Sequence, residues 1–322
     1  MLARVVESIY WMSRYLERAE DMARLINVNA NLLMDLPKGV SLGWEPLIDI
    51  TSTRSTYLEN HDEFDERNVL KYLISDKKSA ISLLANLEAA KENARTIRDV
   101  IPRECWEELN ALYLYAKDNL NVGLSKRGRQ KYLEHIISAN QELAGLLAGT
   151  MNRDEGYLFL ELGRYIERAD MTTRFIDVRT QSLLADANLE LKPFENIQWM
   201  SVLKSLTGYQ MYRREMQVSI RRSQVLWFLF KSRVFPRAVY FCICEAKRSI
   251  EKLPNHKPAL DLCVKLKKQL TETELSELDR DSLHGFIDDL QYQTAELHNA
   301  LNRTYFLSGL IENETQQVQK QA

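Results

Sequence analysis

The chain has 322 residues, of which 45% are hydrophobic and 27% are charged, so it can bury a large core and is not an intrinsically disordered chain. Its formal net charge of −2 excludes the chain-wide basic field that draws proteins to nucleic acid or to anionic membranes. The four cysteines contain no CxxC pair, which favours free buried thiols in a reducing compartment over a disulfide framework or a zinc site.

The first residues, MLARVVESIYWMSRYLERAED, open the first predicted helix and do not resemble a secretory signal. Glu7 and Arg14 interrupt the apolar core that a signal peptide needs. The chain has no uninterrupted apolar stretch of about 18 residues, so no transmembrane helix is expected. We therefore expect a cytoplasmic protein that does not bind a membrane.

Helical spacing of the apolar residues predicts an all-α protein. Glycine and proline are scarce, at 11 and 7 residues, and no alternating strand pattern exceeds a few residues. The first 150 residues are predicted to form helices at about 4–34, 44–60, 66–75, 78–100, 103–120 and 127–150. The residues that follow are predicted to repeat this plan.

The chain repeats one charged helical phrase after 150 residues. The segment RYLERAEDMARLINV at 14–28 and the segment RYIERADMTTRFIDV at 164–178 are identical at eight of fifteen positions. Further matches, such as VLKYL with VLWFL and Trp44 with Trp199, extend the similarity over most of the chain. We therefore predict two tandem pseudo-symmetric multi-helix halves, at 1–150 and 151–306, packed into one helical bundle assembly. Residues 307–322 are predicted to be a polar C-terminal tail.

On a helical wheel, the charged residues of the repeated phrase fall on one stripe. In the first copy the stripe holds Arg14, Glu17, Arg18, Asp21 and Arg24. In the second copy it holds Arg164, Glu167, Arg168 and Arg174, with Met171 in place of the aspartate. Apolar residues flank the stripe on both sides, so we expect it to be at least half buried. A narrower polar strip is expected to face solvent instead: Ser13, Glu20, Asn27 and Asn31.

The charges on the two stripes do not balance. Six arginines stand against Glu17, Asp21 and Glu167, which leaves a surplus of three positive charges. A buried arginine needs a partner, and carboxylates accept its forked guanidinium well, so pairs within a helix or between the two copies are expected. We expect the surplus positive charge to be neutralised by Glu92, Glu142 or Glu296, or by an anionic ligand.

Three interpretations of the stripe follow. It is a structural network that fixes how the two copies dock, or it is a pocket for a phosphate or a carboxylate. In the third interpretation, Glu17 or Glu167 is a weak candidate for an acid–base catalyst. Pairing with arginine would keep these two carboxylates ionised and make them poor acids.

Other signals are less specific. The segment YRREMQVSIRRSQ carries Arg213, Arg214, Arg221 and Arg222, with Arg214 and Arg221 predicted on one helical face, and indicates a solvated or partner-binding helix. The five histidines are scattered, and the Glu-x-x-His pairs of a bundle di-metal site are missing. We therefore expect no metal and no cofactor.

Three segments carry a resemblance to a known family: YWMSRYLERAEDMARLI, DEGYLFLELGRYIERADMTTRFIDVR and ENARTIRD. They resemble the bacterial Alpha-E family, an all-helical domain named for its Glu-Arg motif, over the full chain. By this resemblance Glu17-Arg18 and Glu167-Arg168 are the eponymous residues, accompanied by Arg14, Arg164, Arg24 and Arg174. The second half has no copy of the ENARTIRD segment.

The resemblance implies partners, because such proteins are typically encoded or fused beside a circularly permuted ATP-grasp ligase and a transglutaminase-like peptidase. It implies an accessory component of a system that forms peptide or amide bonds, binding the ligase, a peptide or a small anionic group through the stripe. Two alternatives stay open. The protein could be an enzyme on the product with Glu17 or Glu167 catalytic, or it could be a structural scaffold.

Overall fold

The computed structural model describes residues 1–35, 43–184, 192–217 and 219–306. All regular secondary structure in these ranges is α-helical, which confirms the predicted fold class. None of the helices there combines the length and the apolar character that a membrane crossing requires. The predicted tail at 307–322 lies outside the described residues.

The described residues form eight helices up to residue 150 and seven after it. The first part holds α1 (Ala3–Asp35), α2 (Glu45–Ile50), α3 (Arg54–Leu58), α4 (Glu66–Ser75), α5 (Leu83–Thr96), α6 (Arg103–Asp118), α7 (Leu120–Leu124) and α8 (Arg129–Thr150). The second part holds α9 (Glu155–Leu184), α10 (Lys192–Ser205), α11 (Tyr209–Met216), α12 (Arg222–Lys231), α13 (Val239–Ile250), α14 (Lys257–Glu272) and α15 (Arg280–Tyr305). The division at residue 150 stays a prediction.

Two predicted helices begin or end elsewhere, for local reasons. The helix predicted at 44–60 is broken between α2 and α3, where Ser52 has a left-handed backbone with φ of 55°. The helix predicted from 78 starts only at Leu83, because the Ser82 side chain accepts a hydrogen bond from the Ala85 N–H and caps the helix. Sequence periodicity does not show either stop signal.

The long helices α1 and α9 lie side by side at the centre and run in the same direction. The amino group of Met1 pairs with Glu155 at the start of α9, and Arg18 pairs with Glu167 further along both helices. Helix α1 packs against α5 and α8, and α9 packs against α13 and α15. Each long helix also contacts a short helix from the other part of the chain, since α2 lies on α9 and α10 lies on α1.

A glycine allows the two long helices to approach closely. A Cβ atom at Gly163 would lie 2.4 Å from the backbone oxygen of Tyr10 and 3.0 Å from the Cβ atom of Ser13. The Ser13 hydroxyl donates a hydrogen bond of 2.7 Å to the Leu160 carbonyl at the same crossing. Buried apolar side chains from both parts of the chain form one continuous core around this contact.

The ENARTIRD segment lies at the end of α5, and that helix has a positional counterpart. Helix α13 packs on α9 as α5 packs on α1, and the buried pair Leu87 and Ala90 of α5 matches Ile243 and Ala246 of α13. The motif itself is not repeated there. What recurs in the second half is therefore the helix and its apolar face, and not the charges.

Candidate functional site

The candidate site is the contact between α1 and α9, which we call the seam. It brings together the two Glu-Arg motifs of the repeated phrase. Because both helices run in the same direction, Glu17 and Arg18 lie opposite Glu167 and Arg168. The charged stripes therefore face each other between the central helices and do not face solvent.

Glu167 is the most completely bonded residue of the seam. Its Oε2 accepts a hydrogen bond of 2.6 Å from Arg14 Nε and one of 2.9 Å from Arg18 Nη2. Its Oε1 accepts one of 2.5 Å from Arg18 Nε. The Glu167 side chain is 0% exposed, so two guanidinium groups hold a carboxylate that no solvent reaches.

Glu17 forms the corresponding contacts on the other side of the seam. Its Oε1 accepts a hydrogen bond of 2.7 Å from Arg168 Nε and lies 2.8 Å from Arg237 Nη2. Each Glu-Arg motif thus binds the carboxylate of the other motif. Arg18 and Arg168 also lie over the rings of Tyr15 and Tyr165, which occupy equivalent positions in the repeat.

Arg237 is a central residue that the sequence analysis did not select. It lies just before α13, and its Nη1 donates a hydrogen bond of 2.6 Å to Asp21 Oδ1. Its Nη2 donates one of 3.2 Å to Glu20 Oε1. The only sequence signal was an arginine set among apolar residues in VFPRAVYF, since its carboxylate partners lie more than 200 positions away.

The predicted exposure of Glu20 is wrong. Its side chain is 7% exposed, and it binds both Arg24 and Arg237. Ser13, which was placed on the same solvent-facing strip, is also buried. Helix α1 is surrounded by α5, α8, α9 and α10, so it has no broad solvent face.

The predicted countercharges Glu92, Glu142 and Glu296 are not part of the seam. Glu92 pairs with Lys91 and Arg95, Glu142 is exposed, and Glu296 accepts a hydrogen bond from Asn299. The carboxylates that meet the arginines lie on α1 and α9 themselves. The full set, which we call the seam network, is Arg14, Glu17, Arg18, Glu20, Asp21, Arg24, Arg164, Glu167, Arg168, Asp170, Arg174 and Arg237.

Arg24 and Arg174 extend the network towards the far ends of the long helices. Arg24 binds Glu20 and Arg174 binds Asp170, each four residues earlier on the same helix. Arg24 also donates a hydrogen bond to the hydroxyl of Thr207, and Arg174 donates one of 2.6 Å to the hydroxyl of Ser52. Each long helix therefore binds the turn that follows the short helix from the other part of the chain.

Arg164 is the one predicted arginine that the structure leaves without a carboxylate. Among the described residues it makes no ion pair and no hydrogen bond, although Glu17 and Glu161 lie near it. Burial and the positive charge of Arg168 lower its pKa. Its equivalent in the first copy, Arg14, is bound to Glu167.

The arginines keep the two motif glutamates ionised. Burial alone would raise the pKa of Glu167, but Arg18 and Arg14 outweigh it and lower this pKa to about 2. Burial also opposes ionisation of Glu17, and there Arg168 and Arg237 lower the pKa to about 2. Carboxylates with such pKa values do not carry a proton near neutral pH, so neither glutamate can act as a general acid.

The pKa of Asp21 is shifted in the opposite direction to those of the two motif glutamates. Burial, together with the neighbouring carboxylates Glu17 and Glu20, raises the pKa of Asp21 to about 7 against the effect of Arg237. Its Oδ2 atom is buried and has no hydrogen-bond partner among the described residues. The thiol of Cys242 lies beside this group, and burial raises its pKa to about 12, which excludes a reactive thiolate there.

A metal ion could be held at one place on the surface. The ring of His284 lies between Asp177 and Asp288, with distances of 2.8 and 3.5 Å, and the three side chains offer ligand atoms within 4.8 Å of one another. The hydrogen bond to Asp177 raises the pKa of His284. Without a metal, the same three side chains form an ion-pair group when His284 is protonated.

A large groove lies outside the seam, at the start of α9. Its volume is about 720 Å³. It carries both signs of charge and is lined by Arg153, Asp154, Glu155, Tyr157, Leu158, Glu161, Lys252, Leu253 and Pro254. None of the eight residues predicted from the repeated phrase lines this groove.

Comparison with known proteins gives one match. The model of the Alpha-E family, described as "a predicted alpha-helical domain with a conserved ER motif", matches residues 1–306. No curated protein and no solved structure matches the chain. The match includes both Glu-Arg pairs of the seam.

Proposed function

The chain belongs to the Alpha-E family, and from this premise we propose that it is a non-catalytic accessory component of an ATP-grasp-linked system that forms peptide or amide bonds. In this role it binds the ligase or the peptide on which the ligase acts. A transglutaminase-like peptidase is a second proposed partner. The partners come from the resemblance stated above, and the non-catalytic role is argued from the seam.

The observation that carries the non-catalytic role is the state of Glu167. It has no exposed surface, and Arg14 and Arg18 bind both of its oxygens. A catalytic carboxylate must touch its substrate and exchange a proton near the working pH. Glu167 meets neither condition, so the seam supports a structural role for the Glu-Arg motifs over the enzymatic alternative.

A different surface is suited to a partner, namely the exposed face of α11, α12 and the turn after α12. We call it the basic face, and its exposed cations are Arg213, Arg214, Arg221 and Arg233. None of the four pairs with a carboxylate among the described residues. Arg214 and Arg221 were predicted on one helix, but α11 ends at Met216 and Gln217 has a left-handed backbone, so they lie on separate elements.

Three large apolar side chains are exposed on the same elements. They are Met211, Trp227 and Val234, with exposures of 45%, 42% and 69%. Exposed apolar groups among unpaired arginines are typical of surfaces that bind an acidic protein partner. The basic face therefore supports the proposal of a protein partner with an acidic, partly apolar surface.

The test is capture of the purified cognate ATP-grasp ligase on the immobilised protein, with and without ATP. Arg213→Glu combined with Arg214→Glu should lower capture at least tenfold, because the partner then meets negative charge. Arg103→Glu on α6, where the side chain is 84% exposed, is the matched control and should leave capture unchanged. Absence of capture in both nucleotide states would contradict the proposal and favour the scaffold interpretation.

A further inference from the structure

The two sides of the seam network differ in one respect that the repeat does not predict. Arg14 and Arg164 occupy equivalent positions, 150 residues apart, and each lies between α1, α9 and one flanking helix. At Arg14 the flanking helix is α15, and at Arg164 it is α8. We call the surroundings of Arg14 the closed half-site and those of Arg164 the open half-site.

The closed half-site is filled by the rings of Tyr10 and His298, and Arg14 and Tyr10 both have hydrogen-bond partners there. Arg14 donates hydrogen bonds to Glu167 Oε2 and to the Tyr10 hydroxyl. Tyr10 is in turn hydrogen-bonded to His298 Nδ1 at 2.9 Å. Burial lowers the pKa of His298 to about 4, with Arg14 adding to the effect, so the ring is neutral. A neutral ring can accept a hydrogen bond from the Tyr10 hydroxyl at Nδ1.

The open half-site has smaller residues at the equivalent positions. Leu160 replaces Tyr10, and Ala144 replaces His298 at the offset of 154 residues that relates α8 to α15. A cavity of about 20 Å³ remains there, and Arg164, Glu17 and Asn140 are among the residues that line it. Since a site for one water needs about 10–15 Å³ of such space, the cavity admits one small group.

Three polar groups around this cavity have atoms without a partner among the described residues. Arg164 makes no ion pair among the described residues. Glu17 accepts its hydrogen bond at Oε1 only, whereas Glu167 accepts at both oxygens. Asn140 is 4% exposed, and its Oδ1 atom is buried without a partner. Buried polar atoms are rarely left unpaired, so Asn140 Oδ1 calls for a hydrogen-bond donor in the cavity.

The chemistry of the lining selects the occupant. A group there must accept a hydrogen bond from Arg164 and donate to Asn140 Oδ1 and to Glu17. A carboxylate has no proton to donate, and a carboxylate or a phosphate would bring negative charge against the carboxylates of Glu17 and Glu20, which both line the cavity. An ammonium group would meet the charge of Arg164 and could not accept its hydrogen bond.

We propose that the open half-site binds a primary carboxamide, such as a glutamine or asparagine side chain of a peptide. Its NH₂ group enters the cavity and donates to Asn140 and Glu17, and its carbonyl oxygen stays at the mouth and accepts from Arg164. This site goes beyond the proposed function, because it stands on the seam geometry and does not require the ligase. It also replaces the anionic ligand that the charge surplus first suggested.

The test uses the whole purified protein and two probes of equal size, N-acetylglutamine N-methylamide and N-acetylglutamate N-methylamide. Binding is followed through the side-chain Nε signal of Arg164 in a ¹⁵N NMR spectrum, assigned with Arg164→Lys. The glutamine probe should shift this signal to saturation, and the glutamate probe should bind at least tenfold more weakly. Equal or tighter binding of the glutamate probe would overturn the proposal, and so would the absence of any shift, which would leave water as the occupant.

Two variants test whether the probe binds in the cavity. Ala144→Leu fills the space, and Arg164→Met removes the N–H donors without breaking an ion pair, so the latter keeps the test valid if the former folds poorly. Both should lose binding of the glutamine probe when it is measured by titration calorimetry. Gly145→Ala is the matched control, because its Cβ would meet no atom within 4 Å, and binding should be unchanged. Unchanged binding in Arg164→Met would contradict the site, while ligase capture would be unaffected by that result.

Discussion

Arg174 of α9 donates a hydrogen bond to the hydroxyl of Ser52, a residue from the other part of the chain. Arg24 of α1 makes the equivalent bond to Thr207. Both hydroxyl residues have left-handed backbones, with φ of 55° and 53°, which residues other than glycine adopt at a cost. Each long helix thus helps to hold a strained turn that belongs to the other part of the chain.

These hydrogen bonds between the two parts of the chain predict that the two parts unfold together. Each long helix loses its hydroxyl partner and the ion pairs across the seam if the other part of the chain unfolds first. Differential scanning calorimetry should therefore show one transition, with the calorimetric enthalpy equal to the van't Hoff enthalpy. Two resolved transitions would show that the parts are independent.

Glu167→Gln should destabilise the protein by about 3–5 kcal/mol, because it leaves two arginines in the seam without their ionised partner. The free energy of unfolding is measured by urea denaturation at pH 7. The matched control is Glu107→Gln, which breaks the exposed pair with Arg103 on α6 and should give no measurable loss. A small loss for Glu167→Gln would mean that the seam pairs contribute little to stability.

The seam pairs should also confer a specific acid sensitivity. The pKa of Glu167 is about 2 in the folded protein and near 4.5 ordinarily, so its contribution to stability is complete above pH 4.5 and disappears as the pH falls to 2. The stability difference between the wild type and Glu167→Gln should therefore shrink across this window. Denaturation curves at pH 7, 4 and 2.5 measure it, and a difference that does not change with pH would contradict the lowered pKa.

Asp21→Asn should have the opposite pH dependence. The pKa of Asp21 is raised from 3.8 to about 7, so the folded protein binds a proton that the unfolded chain has lost, and the contribution of Asp21 to stability falls as the pH rises from about 4 to 7. The neutral asparagine avoids this loss. The variant should gain stability relative to the wild type between pH 5 and pH 8, as followed by urea denaturation. A growing deficit over the same range would show that Arg237 dominates the ionisation of Asp21.

The close approach of α1 and α9 predicts different effects for two glycine substitutions. Gly163→Ala places a Cβ atom 2.4 Å from the Tyr10 carbonyl oxygen, so the helices must separate, and a loss of about 1–3 kcal/mol is expected. Gly145→Ala on α8 meets open space and should gain about 0.5–1 kcal/mol from its higher helix propensity. Thermal unfolding of the two variants gives the comparison, and a stabilised Gly163→Ala would contradict the packing.

Helical periodicity was sufficient to place Glu17 and Arg18 on a buried stripe, because a wheel needs only the sequence spacing. The repeated phrase identified Glu167 and Arg168 as their equivalents for the same reason. A wheel does not show how many helices surround α1, so Glu20 was assigned to solvent and is in fact buried. Arg237 was not found, because its contacts with Glu17 and Asp21 depend on how α13 packs and not on any local pattern.

The difference between Arg14 and Arg164 has a further consequence. Two identical subunits around a twofold axis would carry the same side chains at both positions, so any gap in one would appear in the other. A single polypeptide is free of that restriction, and here Tyr10 and His298 occupy one position while Leu160 and Ala144 occupy its equivalent. One side of the central helix pair can therefore hold the two helices together while the other side binds a ligand. A homodimer, whose two sides are identical, cannot separate these two roles.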